Sequence, residues 1–219
     1  MEEAKCPLCL STRVQNFATD KLGSYSLCRQ CYGVFRHNDE FLSAESERQR
    51  YLSHNNSLED AGYLKFLSKL THKLSPYLKK NMSGLDFGCG PVKAMEFLFS
   101  RDESLKSLNC TVDSYDPLFF PDLQLQENSY DFILASEVVE HFNCPRESFE
   151  KMANLLKSGG LLEIMTQTRK EEYDFLSWSY RRDPTHVFFF HQKTFDWLCR
   201  YYPLELVQQG ANEFIFKKI

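Results

Sequence analysis

The chain has 219 residues, 42% of them hydrophobic, and 26 Lys and Arg against 30 Asp and Glu, for a formal net charge of -4. That length suits one buried α/β domain with a small appendage. The acidic balance argues against a dedicated nucleic-acid binder, which needs a cationic surplus to neutralise phosphates. No 18-residue apolar run marks a transmembrane helix, and the charged, cysteine-bearing start MEEAKCPLC does not read as a signal peptide. A cytoplasmic chain with no membrane partner is therefore expected.

Residues 1–40 show little helical periodicity and carry two C-x2-C pairs, Cys6/Cys9 and Cys28/Cys31, with the stretch 10–27 between them. A segment this short cannot bury enough apolar surface to hold itself together. Four thiolates closing a tetrahedral site on one Zn²⁺ would supply that stability and leave no position for water, which makes such a site structural. The alternative is unmetallated buried cysteines or a redox pair. Five basic and five acidic residues balance in this segment, so it is not a cationic clamp. Its aromatics Tyr25, Tyr32 and Phe35 are expected to pack around the metal or against the rest of the chain. The other four cysteines, Cys89, Cys110, Cys144 and Cys199, stand alone in sequence.

Residues 41–84 read as a helical linker. The stretch 41–56 starts helical and turns polar, and Ser57-Leu58-Glu59-Asp60 resembles a capping box. Tyr63, Phe66, Leu67, Leu70, Leu74 and Leu78 then recur at helical spacing until Pro76 interrupts. Tyr51, His54 and Asn55 form either a lid over a ligand or an exposed helix end.

Residues 85–219 change period. Leu85-Asp86-Phe87 is a short buried strand entering Gly88-Cys89-Gly90, and a helix follows through Ala94, Phe97 and Leu98. Strands are expected at 108–115, 130–136 and 161–166, and helices at 146–157, 173–180 and 194–202. The helix at 146–157 should stop at Ser158-Gly159-Gly160. A hairpin, 204–208 with 213–217, closes the chain. This alternation argues for a Rossmann-like α/β fold: a mostly parallel sheet with helices on both faces, an antiparallel edge strand from the hairpin, and a small zinc knuckle in front.

Alone, the G-x-G turn is weak evidence and fits an ordinary strand-to-helix turn. Its value lies in letting a ligand approach bare backbone at a helix N-terminus. Asp116 ends the second strand, where a carboxylate can accept both ribose hydroxyls of a nucleoside. The third strand runs through Asp131 into Ser136-Glu137-Val138-Val139-Glu140-His141-Phe142, and Leu156-Lys157-Ser158-Gly159-Gly160 follows. In this order and spacing, the set resembles the class I S-adenosylmethionine-dependent methyltransferases over about residues 57–219, and the leading cysteines look like the zinc module that precedes the catalytic domain in some members.

The resemblance implies that Asp86, Gly88 and Gly90, with the backbone of Cys89, lie against the methionine part of S-adenosylmethionine. It implies that Asp116, followed by Pro117, holds the ribose, and that Ser136 and Glu137 lie beside the sulfonium. His141, in the Glu140-His141 pair, is a base or a structural histidine. Two departures stand out. Val92 replaces the motif's third glycine. The stretch 117–130 between Asp116 and Asp131 is too short for the usual helix–strand–helix insert. One family strand is therefore missing or reduced to something like 123–125, and Phe119 or Phe120 either stacks on the adenine or belongs to the core.

The segment WSYRRDPTHVFFF, residues 178–190, falls where the family's D-x-x-H signature faces substrate. Asp183 and His186 form a catalytic dyad or a polar loop capped around Pro184. His186 is the leading general base, with Tyr180 and His141 behind it, and Arg181 or Arg182 is placed to hold an anionic group. The implied reaction is in-line attack by a small-molecule or sugar-like acceptor on the methyl carbon of the sulfonium, with the thioether as leaving group. The rival readings are an RNA or protein methyltransferase docking through the zinc module, and a non-catalytic binding protein on the same fold.

Overall fold

The computed structural model describes residues 4–54, 56–172 and 174–219. Three strands open the chain: β1 (Val14–Asp20), β2 (Gly23–Cys28) and β3 (Val34–Arg36). Helices α1 (Ala44–Leu52) and α2 (Ala61–Leu74) follow, with a 3₁₀ turn at Ser75–Tyr77. Then come β4 (Ser83–Phe87), α3 (Ala94–Arg101), α4 (Glu103–Ser107), β5 (Thr111–Tyr115), β6 (Tyr130–Ser136), α5 (Pro145–Leu155) and β7 (Leu156–Met165). The chain ends with β8 (Phe188–Phe189), α6 (Gln192–Tyr201), β9 (Leu204–Gln209) and β10 (Glu213–Lys218). Among the described residues no helix is long and apolar enough to cross a membrane.

The main sheet has the order β5-β4-β6-β7-β10-β9. Strands β5, β4, β6 and β7 are parallel, and β10 joins β7 antiparallel. The hairpin thus occupies the sheet edge, with its antiparallel strand β10 one place in and β9 outside it. Among the described residues no strand lies beyond β5. Residues 117–129 form turns and coil, with only a bridge between Asp116 and Phe120, so 123–125 is not a reduced strand.

Alternation along the strands sorts the core into two faces. Ile133, Ala135, Leu162 and Ile164 point to the side covered by α5 and α6, where Phe149, Phe195 and Leu198 are buried. Phe132, Leu134, Leu161 and Met165 point to the other side, against Leu67, Leu70 and Leu74 of α2 and Met95 and Phe99 of α3. The α2 residues recur at helical spacing, which gives that helix one apolar stripe.

The cysteine segment does not stand apart. Cys6, Cys28, Cys31 and Phe35 belong to the same buried cluster as Phe149 and Phe188. From near the start of the chain, β3 pairs antiparallel with β8, near its end, with Val34 opposite Phe189 and Phe35 opposite Phe188. This completes a second sheet of order β1-β2-β3-β8. Tyr25 packs edge-on against Phe175 and Phe189, and Tyr32 stacks on His191, so both pack against residues from the later part of the chain.

Several local expectations change. Ser57 does not cap α2; Asp60 does, accepting from the Gly62 and Tyr63 amides. The stretch 174–182 forms two 3₁₀ turns, Phe175–Ser177 and Ser179–Arg182, because Trp178 between them is extended. Tyr173 lies outside the described residues. Helix α5 stops at Leu155 because Leu156 turns extended and begins β7, ahead of the expected glycine stop at Gly159.

One buried acid is unpaired. Glu163 on β7 is fully buried, and neither carboxylate oxygen has a hydrogen-bond partner among the described residues. Burial pushes it up from 4.5 to about 9, with Lys73 opposing and Glu213 adding to the effect. A folded-state value above the unfolded one means the folded chain holds the extra proton. That contribution is complete below 4.5 and is lost as pH rises toward 9. Glu163→Gln should flatten this dependence, changing the slope of unfolding free energy by up to about 1.4 kcal/mol per pH unit within the window. Urea melts of both proteins at pH 6 and pH 8.5 measure it, and equal slopes would count against the protonated carboxyl.

Candidate active site

The site is built where β4, β5 and β6 end. Gly88 (φ +79) and Gly90 (φ +65) take left-handed backbone at the end of β4, a region costly for residues with a Cβ. The two glycines are needed for different reasons. A Cβ on Gly88 would overlap Val138, whereas a Cβ on Gly90 would meet nothing within 4 Å. The bare face of Gly90 therefore opens on free space. The Gly88 and Cys89 amides donate to the Tyr115 carbonyl at 2.8 and 3.1 Å, tying the turn to β5. Val92, in place of a third glycine, packs against the α2–α3 core. Helix α3 begins after Lys93 with no side-chain cap.

Asp116 accepts three backbone N–H groups: Leu118 at 2.8 Å and Phe119 at 3.2 Å on Oδ1, and Gly90 at 3.0 Å on Oδ2. Burial raises its carboxyl above the ordinary value, and these hydrogen bonds oppose the rise. Asp86 is fully enclosed and pushed up to about 8, by burial first and then by the charges of Asp116 and Glu96. Pro117 is exposed on the turn. Phe119 and Phe120 are half-buried rather than core, and cations cover their faces: Arg48 lies 5.2 Å from the Phe119 centroid and Lys93 4.9 Å from that of Phe120.

Beyond β6, Ser136 has a buried hydroxyl with no partner among the described residues. Glu137 has φ +50 and accepts from the Tyr180 hydroxyl at 3.1 Å. That hydroxyl lies 2.6 Å from Glu140 Oε1, and Thr166 donates to Glu140 Oε2 at 2.9 Å. Burial lifts Glu137 to about 7. It also raises Glu140, with Glu137's charge adding to the effect, and it raises the Tyr180 phenol.

The structure brings His141 and His186 together, with ring centroids 4.7 Å apart at 72°. His141 Nδ1 lies 3.0 Å from the Thr185 carbonyl, and His186 Nδ1 2.6 Å from the Tyr180 carbonyl. Burial brings His141 down to about 3 and His186 to about 4, so both rings are neutral.

Asp183 does not orient His186. Its Oδ2 accepts from Arg50 Nε and Nη2 at 3.1 and 2.6 Å, and its Oδ1 accepts from the Thr185 amide and hydroxyl. Burial works against ionisation, but these bonds hold the carboxyl below its usual range. The expected Asp183–His186 dyad is therefore absent, because Arg50 takes the acid and a carbonyl takes the imidazole N–H.

Arg181 is likewise not free for substrate. It is buried and binds Asp20, Tyr25 and the carbonyls of Phe175 and Leu176, which clasps the cysteine segment to the loop. Arg182 is exposed.

Helix α1 lies on the site. The Tyr51 ring sits edge-on to His141 at 5.3 Å and 6.5 Å from Phe119, and its hydroxyl donates to Glu47 at 2.6 Å. His54 is 3.7 Å from Asp183, and Asn55 lies outside the described residues. Sequence reasoning missed Arg50, Glu47 and Thr166. No local signal marks them, since their partners are reached only by folding.

At the other end of the chain, the Cys6, Cys9, Cys28 and Cys31 sulfurs all lie within 4.8 Å of one another. Two pairs are closer, Cys6–Cys31 at 3.5 Å and Cys9–Cys28 at 3.3 Å. Sulfurs about 2.3 Å from one tetrahedral ion lie roughly 3.8 Å apart, so the cluster is sized for a single metal.

The glycine pair allows the expected exchange to be tested. Gly90→Ala should leave the fold nearly intact, at a cost of about 1–2 kcal/mol for its backbone, and weaken cofactor affinity by filling the open space. Gly88→Ala should destabilise by more because Val138 must also move. Melting and cofactor titration on both variants separate the effects. Equal affinity for wild type and Gly90→Ala would remove the ligand from that turn.

Comparison with known proteins agrees with this geometry. Residues 58–209 match the family model described as a methyltransferase domain. The uncharacterized protein YmfD of Escherichia coli strain K12 is 27% identical over 123 residues, 44% of this chain and 55% of YmfD, so the similarity spans little more than half of that curated relative. Among solved structures, N-methyltransferase NodS from Bradyrhizobium japonicum WM9, in complex with S-adenosyl-L-homocysteine, matches with TM-score 0.52 at 15% identity over 81% of this chain and 99% of NodS. PH0226 from Pyrococcus horikoshii OT3 matches at 0.50 and 14% identity over 75% and 94%. At these identities the structural likeness speaks for the fold. Because the family model spans most of the chain, the chain belongs to the methyltransferase-domain family, and its mostly parallel sheet with an antiparallel hairpin at one edge is the fold that these solved structures share.

Proposed function

We propose that this protein transfers a methyl group from S-adenosylmethionine to a small polar acceptor, a metabolite or sugar-like molecule. The observation that carries the donor reading is the turn itself: the Cβ side of Gly90 opens on free space, while its amide donates to Asp116 Oδ2 at 3.0 Å. Asp86, Asp116, Glu137 and Glu140 also make the pocket strongly acidic, and burial opposes their ionisation. A donor bearing a sulfonium and an ammonium offsets those charges.

The donor methyl is already reactive, so the chain's work is alignment and proton removal. In this reading methionine lies along Asp86–Gly90, the ribose hydroxyls bind Asp116, and Phe119 or Phe120 stacks on the adenine in place of the missing strand's loop. The sulfonium lies beside Ser136 and Glu137. Glu137, held by the Tyr180 hydroxyl, takes the acceptor's proton. His186, the base expected from sequence, gives up that role because its dyad partner is engaged elsewhere.

The four cysteines hold a structural Zn²⁺ that fixes β1–β3 against β8, and so fixes the loop carrying Tyr180 and His186. The small acceptor is favoured because α1 covers the site with Tyr51 and Arg50, and the chain's net charge is -4.

Methyl-labelled S-adenosylmethionine, incubated with the zinc-loaded chain and separate metabolite, RNA and protein fractions, tests the acceptor class. Label in the metabolite fraction is expected. Label confined to RNA or protein would replace this reading with the docking alternative, and label nowhere would favour a non-catalytic binder.

A further inference from the structure

Two imidazoles and a carboxylate meet beside the strand end, and their hydrogen bonds leave a particular set of lone pairs. Carbonyl oxygens only accept, so the Thr185 and Tyr180 carbonyls require a proton on Nδ1 of His141 and of His186. Each Nε2 then carries a lone pair. Neither Nε2 makes a hydrogen bond among the described residues, and His141 Nε2 stands 3.9 Å from Glu140 Oε1. One ligand atom from each of Glu140, His141 and His186 lies within 4.8 Å of the other two. Glu140 is fully buried and oriented from both sides by Tyr180 and Thr166.

Imidazole N–H groups fixed by carbonyls, and a carboxylate fixed by hydroxyls, are the outer supports that metal ligands require. At 3.9 Å, His141 Nε2 and Glu140 Oε1 stand too far apart to bond each other directly.

We propose that Glu140, His141 and His186 bind a divalent first-row transition cation, in a site separate from the four cysteines. Two nitrogens and one carboxylate suit Mn²⁺, Fe²⁺ or Zn²⁺ better than Mg²⁺ or Ca²⁺, which prefer all-oxygen sets. Neighbouring ligands about 2.1 Å from one ion lie roughly 3 Å apart, so each side chain closes by under about 1 Å on binding. Three protein ligands leave positions open to water or to oxygen atoms of an acceptor. The binding itself does not depend on the methyl donor, so it stands or falls separately from the transferase reading.

The test is metal content of the full chain after equilibrium dialysis against Mn²⁺ or Zn²⁺, without S-adenosylmethionine. The expected result is one ion on the cysteines and one more per chain. His141→Ala and His186→Ala should each lower affinity for the second ion at least about tenfold and keep the first. Tyr180→Phe, which keeps the ring and removes only the hydroxyl that orients Glu140, should weaken the second ion as well, and it serves if the histidine variants fail to fold. A wild-type chain that holds one ion in both dialyses would overturn the proposal, as would folded histidine variants that hold as many ions as wild type.

Discussion

Asp116→Ala should weaken S-adenosylmethionine binding at least about a hundredfold. A carboxylate accepting two ribose hydroxyls makes two charge-assisted hydrogen bonds, each contributing about 1.5–3 kcal/mol, and every 1.4 kcal/mol is about tenfold in affinity. The same carboxylate also holds the Gly90, Leu118 and Phe119 amides, so the alanine should loosen the glycine turn as well. Asp116→Asn separates these contributions. It keeps an acceptor for Leu118 and Phe119 but loses the charge and the acceptor for Gly90, and it should fall between wild type and alanine. Occupancy of the four-cysteine site should stay the same in both, because among the described residues the Asp116 carboxylate bonds to Gly90, Leu118 and Phe119 and to none of those cysteines. Calorimetry of the zinc-loaded variants reads the affinity, and an unchanged dissociation constant for Asp116→Ala would reject the ribose assignment.

The second large effect is at the other end of the chain. Cys28→Ser removes one of four sulfurs, from a residue that also pairs with Val14 in the first sheet. Structural zinc sites contribute folding energy directly, about 10–16 kcal/mol in isolated zinc-finger peptides. Here part of that is offset because the segment shares a core with Phe149 and Phe188. A net loss of about 4 kcal/mol lowers the melting temperature by roughly 10 °C in a chain of this size. The damage should also travel. Without the metal, β3 loses its hold on β8, and His186 lies just before β8. Hydrogen exchange should therefore show protection lost at 14–36 and 185–190 but kept at 83–87 and 130–136, with methyl transfer falling more than cofactor affinity. Chelation of the wild-type chain should reproduce the pattern. Full protection in the metal-free chain would show that the cysteines have no structural ion to lose.

The parts of this account legible in the sequence are local. The strand 130–136 is a run of buried residues, the α2 stripe repeats at helical spacing, and each C-x2-C pair brings two sulfurs together within one short turn. The missing family strand was also legible, since the stretch 117–130 is too short to hold it with its helices. What the sequence could not show is non-local. The pairing of Val34 with Phe189 and the bond from Arg50 to Asp183 join segments from opposite ends of the chain, and no spacing rule connects them. These two contacts shape the candidate site: the first joins the cysteine segment to the loop that carries His186, and the second takes Asp183 away from His186. The tautomers of His141 and His186 were hidden for the same reason, because backbone carbonyls set them. Short-range geometry failed where two signals competed, as at Asp60, which caps α2 in preference to Ser57.

The most direct measurement is a crystal structure of the zinc-loaded chain with S-adenosyl-L-homocysteine. The account predicts the homocysteine along Asp86–Gly90 with its sulfur facing Glu137, both ribose hydroxyls on Asp116, and the adenine against Phe119 or Phe120. A cofactor bound elsewhere, or a ribose that leaves Asp116 untouched, would contradict it.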